Sequence, residues 1–227
     1  MLILHIANKN YSSWSLRPWV LMKTLGIPFE EQLHVFDGTA NWDAFRQFSP
    51  SGTVPCLHHG DTRIWDSLAI TEYLAERHPA VWPASAEARA WARCAAAEMH
   101  SGFSALRNQC GMNCGFRVKL HDISRPLAKD IKRIDELWCE GLGRFGGPFL
   151  AGEAFTAVDA FYAPVAFRIQ TYNLPFSETA LAYARSLLAL PAMVDWYNTG
   201  LAETWDDSAH DSEIREFGEV TADLRRS

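Results

Sequence analysis

The sequence predicts an α/β half followed by an all-helical half, and three observations carry that prediction. Residues 1–80 switch repeatedly between period-two alternation and helical spacing. Two short strand-like runs, TVPCLHH and TRIWD, flank a Gly60-Asp61 turn of the kind that closes a β-hairpin. From Ala86 onward only the i, i+3, i+4 pattern of amphipathic helices recurs. HPAVWPAS (78–85), with two prolines, is the natural linker between a first domain at 1–80 and a second at 86–227.

Taken in order, LILHIA (2–7) is a short apolar run and reads as a buried strand. Leu16, Trp19, Val20 and Lys23 then fall at helical spacing, closed by Gly26 and Pro28. FEEQLHVF (29–36) returns to alternation, and after the hairpin SLAITEYLAERH is helical up to Pro79. The order is β-α-β, a short element, then β-β-α. In the second half, 86–109 reads as one long helix and 127–145 as another, with apolar residues at Leu127, Ile131, Ile134, Leu137, Trp138, Leu142 and Phe145. A further helix begins at Thr156, one runs through LALPAMVDWYNTGLAE, and the charged last residues (205–227) read as a partly mobile tail. GLGRFG (141–146) matches G-x-G-x-x-G, but it ends a helix rather than following a strand, so it reads as a glycine-capped terminus and not a nucleotide site.

Composition narrows the function classes. The chain has 227 residues, 48% hydrophobic and 21% charged, ordinary for a soluble protein, and its nine tryptophans and thirteen phenylalanines promise a large aromatic core or an apolar pocket. A net charge of −6 without a Lys/Arg stripe argues against nucleic acid. No apolar run is long enough to span a bilayer, and the start lacks a basic leader and cleavage site, so neither a membrane nor secretion is expected. Five scattered cysteines read as reduced thiols in the cytoplasm. Cys110 and Cys114 alone make a poor zinc site, and His58 and His59 on one strand point to opposite faces, so no metal is expected.

NYSSWSLRPW (10–19) carries the chemistry. Pro18 is free of cost only in a first turn, which favours Ser15 as N-cap with Ser12 and Ser13 in the loop leading in, near unsatisfied N–H groups that attract an anion. Strand, loop, helix and a hairpin with a Val-Pro step outline a thioredoxin-like fold. In a redox member, Ser12 and Ser15 would be the C-x-x-C cysteines. Serine cannot exchange disulfides, but it can donate a hydrogen bond to a thiolate brought in by a guest. A bare helix cap is the plainer reading of the same serines.

With these residues in view, the sequence resembles the soluble glutathione transferase family over nearly its whole length. SSWSLRPW looks like the serine-bearing entry to the first helix, closest to the S-S-C-S pattern of the zeta class. TVPCL resembles the step where the family's proline is cis and where Val54, between Thr53 and Pro55, offers its backbone to the bound tripeptide. WDSLAITEYL matches the pair, here Asp66 and Ser67, that holds the γ-glutamyl end of glutathione. FTAVDAFYAPV resembles the family's S/T-x-x-D capping box, with Thr156 and Asp159.

The resemblance implies glutathione as co-substrate, a cleft between the two domains, a homodimer and a detoxifying transferase. It makes Ser12 the residue that stabilises the thiolate, with Ser13 and Ser15 as alternatives. Two departures stand out. Many relatives place a basic residue before the Val-Pro step to meet the glycine carboxylate; Thr53 stands there, so either affinity is weaker or His34 or Lys9 substitutes. The zeta class uses a helix-six arginine for maleylacetoacetate isomerisation, and that position is Thr171, with Arg168 a turn earlier. The electrophile is expected at the helix opening the second half, where His100, Phe103 and Arg107 share a face and suit an aromatic or anionic compound. The alternatives are a zeta-like isomerase and a non-catalytic binding module of the same fold.

Overall fold

The computed structural model describes residues 1–36 and 41–225. Strand β1 (Leu2–Ala7), helix α1 (Ser13–Thr24) and strand β2 (Glu30–His34) form a parallel βαβ unit; a short helix α2 (Asn41–Arg46) follows. The hairpin β3 (Cys56–His59) and β4 (Thr62–Trp65) joins the sheet antiparallel to β1, giving the order β2-β1-β3-β4, and α3 (Ser67–Ala75) packs behind it. The predicted α/β half is therefore present element by element.

The second half is helical: α4 (Ala86–Ser101), α5 (Ser104–Gln109), α6 (Arg125–Phe145), α7 (Ala157–Tyr172), α8 (Glu178–Leu188), α9 (Pro191–Ala202) and α10 (Ser208–Phe217). It also holds an antiparallel ribbon, β5 (Phe116–Leu120) with β6 (Gly218–Asp223), which the reading of helices alone missed. The tail is accordingly an ordered helix and strand as far as residue 225; residues 226 and 227 of that prediction lie outside the described residues. Two further expectations are corrected. Helix α1 begins at Ser13, so Ser12 and not Ser15 takes the N-cap position, and Pro18 sits inside, forfeiting only one bond to the carbonyl a turn earlier. The long helix at 86–109 breaks at Gly102, where a Cβ would meet the Glu98 carbonyl oxygen at 2.7 Å, and Phe103 takes a left-handed φ of 57°.

Helix α7 is apolar almost all round because it is buried almost all round, packed against α1, α4 and α8. Its start is the predicted capping box: Thr156 N donates to Asp159 Oδ2 at 2.9 Å. Asp159 also accepts from Leu150 N (2.9 Å) and the Tyr183 hydroxyl (2.7 Å), so one buried carboxylate ties together α7, α8 and the turn before them. GLGRFG closes α6 as expected, with Gly146 left-handed at φ 80°.

A file of histidines stitches the sheet. His58 Nε2 is within 2.8 Å of the Phe48 carbonyl oxygen, which can only accept, so that nitrogen carries the proton. His5 Nε2 then donates to His58 Nδ1 (3.3 Å), and His34 Nε2 to His5 Nδ1 (2.9 Å). Such a file is satisfied only while the rings are neutral. Burial, then the neighbouring His58 and His34, push the His5 pKa down to about 4, and burial lowers that of His34.

Two predictions follow from these packings. Asp159→Ala strands several buried donors and is expected to lower the free energy of unfolding, measured by urea denaturation, by about 3 kcal/mol. Because His5 binds its proton more weakly folded (about 4) than unfolded (about 6.5), stability falls as pH drops through that window, by about 2 kcal/mol between pH 7.5 and pH 5. His5→Gln is expected to lose that share of the acid sensitivity.

Candidate active site

A cleft of about 670 Å³ opens at the N-terminus of α1. Of the residues singled out in the sequence, Ser12, Ser13, Thr53, Val54, Pro55, Asp66, Ser67 and Arg107 line it. Ser15, His100 and Phe103 do not. Ser15 lies fully buried behind the wall: its Oγ accepts from Ala7 N (3.2 Å) and from the Ser12 hydroxyl (2.7 Å). Ser12 Oγ is thus held by Ser15, while its backbone takes the N-cap position without a side-chain capping bond.

The Val54-Pro55 peptide is cis. Beside it the hydroxyls of Ser49, Ser51 and Thr53 form a chain with spacings of 3.1 and 2.6 Å, and both Ser51 and Thr53 face the cleft. Asp66 caps α3, accepting from Leu68 N at 2.7 Å with its own backbone at φ 75°, a conformation rarely adopted by a residue with a side chain. Its other oxygen meets His100 Nε2 at 3.3 Å. Ser67 is fully buried and its Oγ has no protein partner, at a helix N-terminus that favours an anion. An orphaned hydroxyl beside free amides fits a carboxylate well, so these residues are compatible with the γ-glutamyl end of glutathione.

The helix break reshapes the second-substrate side. Because the chain turns at Gly102, His100, Phe103 and Arg107 do not share a helical face. Phe103 is a core residue. His100 packs edge-on to Trp14, at 5.4 Å between centroids, and holds Asp66. Arg107 folds back to donate through Nη2 to the Met99 and His100 carbonyls, capping α4. Neither substitute for a basic residue at 53 reaches the cleft: Lys9 is buried against Glu31 (2.9 Å) and His34 belongs to the histidine file. Thr171 donates its hydroxyl to the Asn113 carbonyl at 2.6 Å and is likewise spent on structure.

The sequence reading missed the contribution of the tail. His210 and Glu213 of α10 line the cleft, with Tyr11, Trp14 and Phe36. His210 Nδ1 lies 2.8 Å from Asp207, and its ring stacks near Phe36. Arg225 pins this segment, binding Asp206 (3.2 Å), Asp211 (2.9 Å), Asp223 (2.8 Å) and the Tyr11 hydroxyl (2.6 Å). Tyr11 OH also accepts from Asp207 N. Burial pushes the Tyr11 phenol up to about 12, so it stays protonated at neutral pH. The alternation in FRVKL (116–120) was the available clue that a partner strand lay further on.

Comparison with known proteins agrees with this geometry. The family model for the glutathione S-transferase N-terminal domain matches residues 11–77, and that for the C-terminal domain matches 83–199. Glutathione S-transferase 1 of Dianthus caryophyllus is 30% identical over 161 residues, 67% of this chain and 71% of the relative. A zeta-class glutathione S-transferase of Euphorbia esula is 27% identical, covering 75% and 78%. The crystal structure of a glutathione transferase homolog from Burkholderia GL BGR1 with bound glutathione superposes with a TM-score of 0.66, at 21% identity over 88% of this chain and 97% of that one.

Removing the Arg225 pin is expected to free the tail. For Arg225→Ala, limited digestion with a non-specific protease should release C-terminal fragments about tenfold faster, as for a local opening made easier by roughly 1.4 kcal/mol. Mass spectrometry of the early fragments checks it.

Proposed function

The chain belongs to the glutathione S-transferase family and is a glutathione-dependent transferase or isomerase; on that premise we propose that it is a glutathione transferase in which Ser12 stabilises the glutathione thiolate for attack on a small electrophile. The observation that carries the reading is Ser12 at the head of α1, facing the cleft and bonded to Ser15 behind it.

Ser15 Oγ accepts from both the Ala7 N–H and the Ser12 hydroxyl, which holds Ser12 Oγ at the head of α1. In the proposed step the Ser12 O–H turns from Ser15 to donate to a sulfur in the cleft, a charge-assisted bond stronger than the one it leaves. The positive end of α1 adds to the preference for a thiolate over a thiol. Tyr11 is the neighbouring hydroxyl, but its oxygen is bound outward to Arg225 and Asp207.

In this reading the Val54 backbone pairs with the tripeptide, Asp66 receives its ammonium, and Ser67 Oγ with the α3 amides receives the γ-glutamyl carboxylate. Glutathione supplies the nucleophile and the protein lowers its thiol pKa and brings it near the electrophile; no metal takes part in the proposed step. Thr171, bound to Asn113, favours transfer over the zeta-type isomerisation, which in that class uses an arginine at this position. Family membership also motivates a homodimer, a cytoplasmic location and a detoxifying role.

The test is the ultraviolet absorbance of the thiolate of bound glutathione, titrated with pH. The parent is expected to lower the thiol pKa by about two units, and Ser12→Ala to return it towards the free value. A depression that survives Ser12→Ala but not Ser13→Ala assigns the role to Ser13. Binding without any depression overturns the catalytic reading in favour of a binding module.

A further inference from the structure

The cleft wall built by the helical half carries more positive charge than any contact described so far requires. Arg107 from α5 and Arg168 from α7 line the cleft, and Arg17 from α1 lies behind Trp14. The guanidinium carbons of Arg17 and Arg107 stand 4.1 and 4.7 Å from the centre of the Trp14 ring. Arg17 is 2% exposed and Arg168 4%, yet neither forms an ion pair among the described residues.

Their donors are left over. Arg168 spends Nε on the Cys110 carbonyl (2.8 Å), while its buried Nη1 has no protein partner. Arg107 spends Nη2 on the end of α4, and its Nε has none. Arg17 has neither Nε nor Nη1 bonded among the described residues, and its guanidinium lies against the rings of Trp14 and Phe161. Buried donors without acceptors each cost stability, more so when charged. Carboxylates are scarce: Asp66 favours Arg17 and Asp130 favours Arg107, while the groups acting on Arg168 include no carboxylate. Burial lowers the proton affinity of all three, and the guanidiniums disfavour one another; Arg168 falls to about 10. An arrangement of this kind is relieved by an oxyanion that accepts several N–H bonds at once.

We propose that Arg107 and Arg168, with Arg17 behind Trp14, form an oxyanion subsite that receives a carboxylate on the electrophilic substrate. The enzyme's electrophiles are then carboxylate-bearing, with a flat body against Trp14. This rests on the reading of the cleft as a glutathione site. The γ-glutamyl carboxylate is the competing source of the same chemistry, but Ser67 Oγ and the α3 amides already suit it.

The experiment compares 4-chloro-3,5-dinitrobenzoate with its neutral isostere 4-chloro-3,5-dinitrobenzamide. In both, the thiolate sulfur bonds to the chlorinated carbon, chloride leaves with the bonding pair, and the thiol proton goes to solvent. Each kcat/KM is divided by the uncatalysed rate with glutathione. The parent is expected to favour the carboxylate at least tenfold, and Arg107→Gln and Arg168→Gln each to shrink that ratio about tenfold. Equal efficiency towards the two in the parent overturns the proposal. So does a variant in which KM for glutathione rises while the ratio holds, since that assigns the arginines to glutathione.

Calorimetric binding of 3,5-dinitrobenzoate and 3,5-dinitrobenzamide to the parent tests the subsite without turnover or variants. Tight benzoate and weak benzamide binding in a protein that turns over neither probe would sink the transferase reading and leave the subsite standing. Equal binding of the two sinks the subsite whatever the activity.

Discussion

The clamp on residues 8–12 is the constraint on which the site depends. This loop leaves β1 and delivers Ser12 to the head of α1, and it is buried. Its backbone groups cannot turn to water, so they must be met by protein. Glu203, just beyond α9, accepts from Lys9 N (2.6 Å) and Asn10 N (3.2 Å) with its two oxygens. Trp196 Nε1 donates to the Lys9 carbonyl at 2.8 Å, and Cys114 N to the Asn10 carbonyl at 3.1 Å. The approach is so close that a Cβ at Gly200 would lie 3.2 Å from Asn10 N. The position of Ser12 is therefore set largely by the helical half, although its sequence belongs to the α/β half.

That dependence explains what could be read in the sequence and what could not. The strands, α1, the hairpin and α3 were legible because each is specified locally, by alternation, a glycine turn or a capping aspartate. The capping box was legible for the same reason: Thr156 and Asp159 are three residues apart. Ser15 as N-cap was the local argument at its limit, since proline is tolerated where the ladder bond it forfeits can be offset by the burial around it. The partnership of β5 with β6, about a hundred residues apart, is decided by tertiary contacts. The helical spacing that links Arg107 to His100 and Phe103 is not kept across the break at Gly102, yet Arg107 reaches the cleft from α5. Arg225, Asp211 and Glu203 gave no sign of their roles, because charged residues near a chain end usually belong to solvent.

The two halves divide the work by chemistry. The α/β half presents hydroxyls, a cis peptide, one carboxylate and two helix N-termini, which together suit a zwitterionic peptide. The helical half presents the guanidiniums of Arg107 and Arg168, an imidazole and the Glu213 carboxylate; the guanidiniums suit an anion, and the surfaces facing Trp14 suit an aromatic body. Helix α7 mediates between them. Its Arg168, Thr171 and Tyr172 bind the carbonyls of Cys110, Asn113 and Gly111, so one face of one helix shapes the loop where Met112 meets the cleft.

A serine at the head of α1 fits this division better than a cysteine. A cysteine there, beside a helix N-terminus, would be acidified and would itself attack a disulfide of glutathione, forming a mixed disulfide and releasing one glutathione as thiolate. A hydroxyl cannot exchange disulfides, so in the proposed reaction the sulfur that reacts is the guest's. The buried Ser15 then gains a purpose that a lone cap lacks: it orients Ser12 without reaching the cleft, and its acceptor oxygen is anchored on the Ala7 amide of β1. Strand, loop and helix thus hold one hydroxyl at a fixed place, and what it acts on is chosen by the residues facing it.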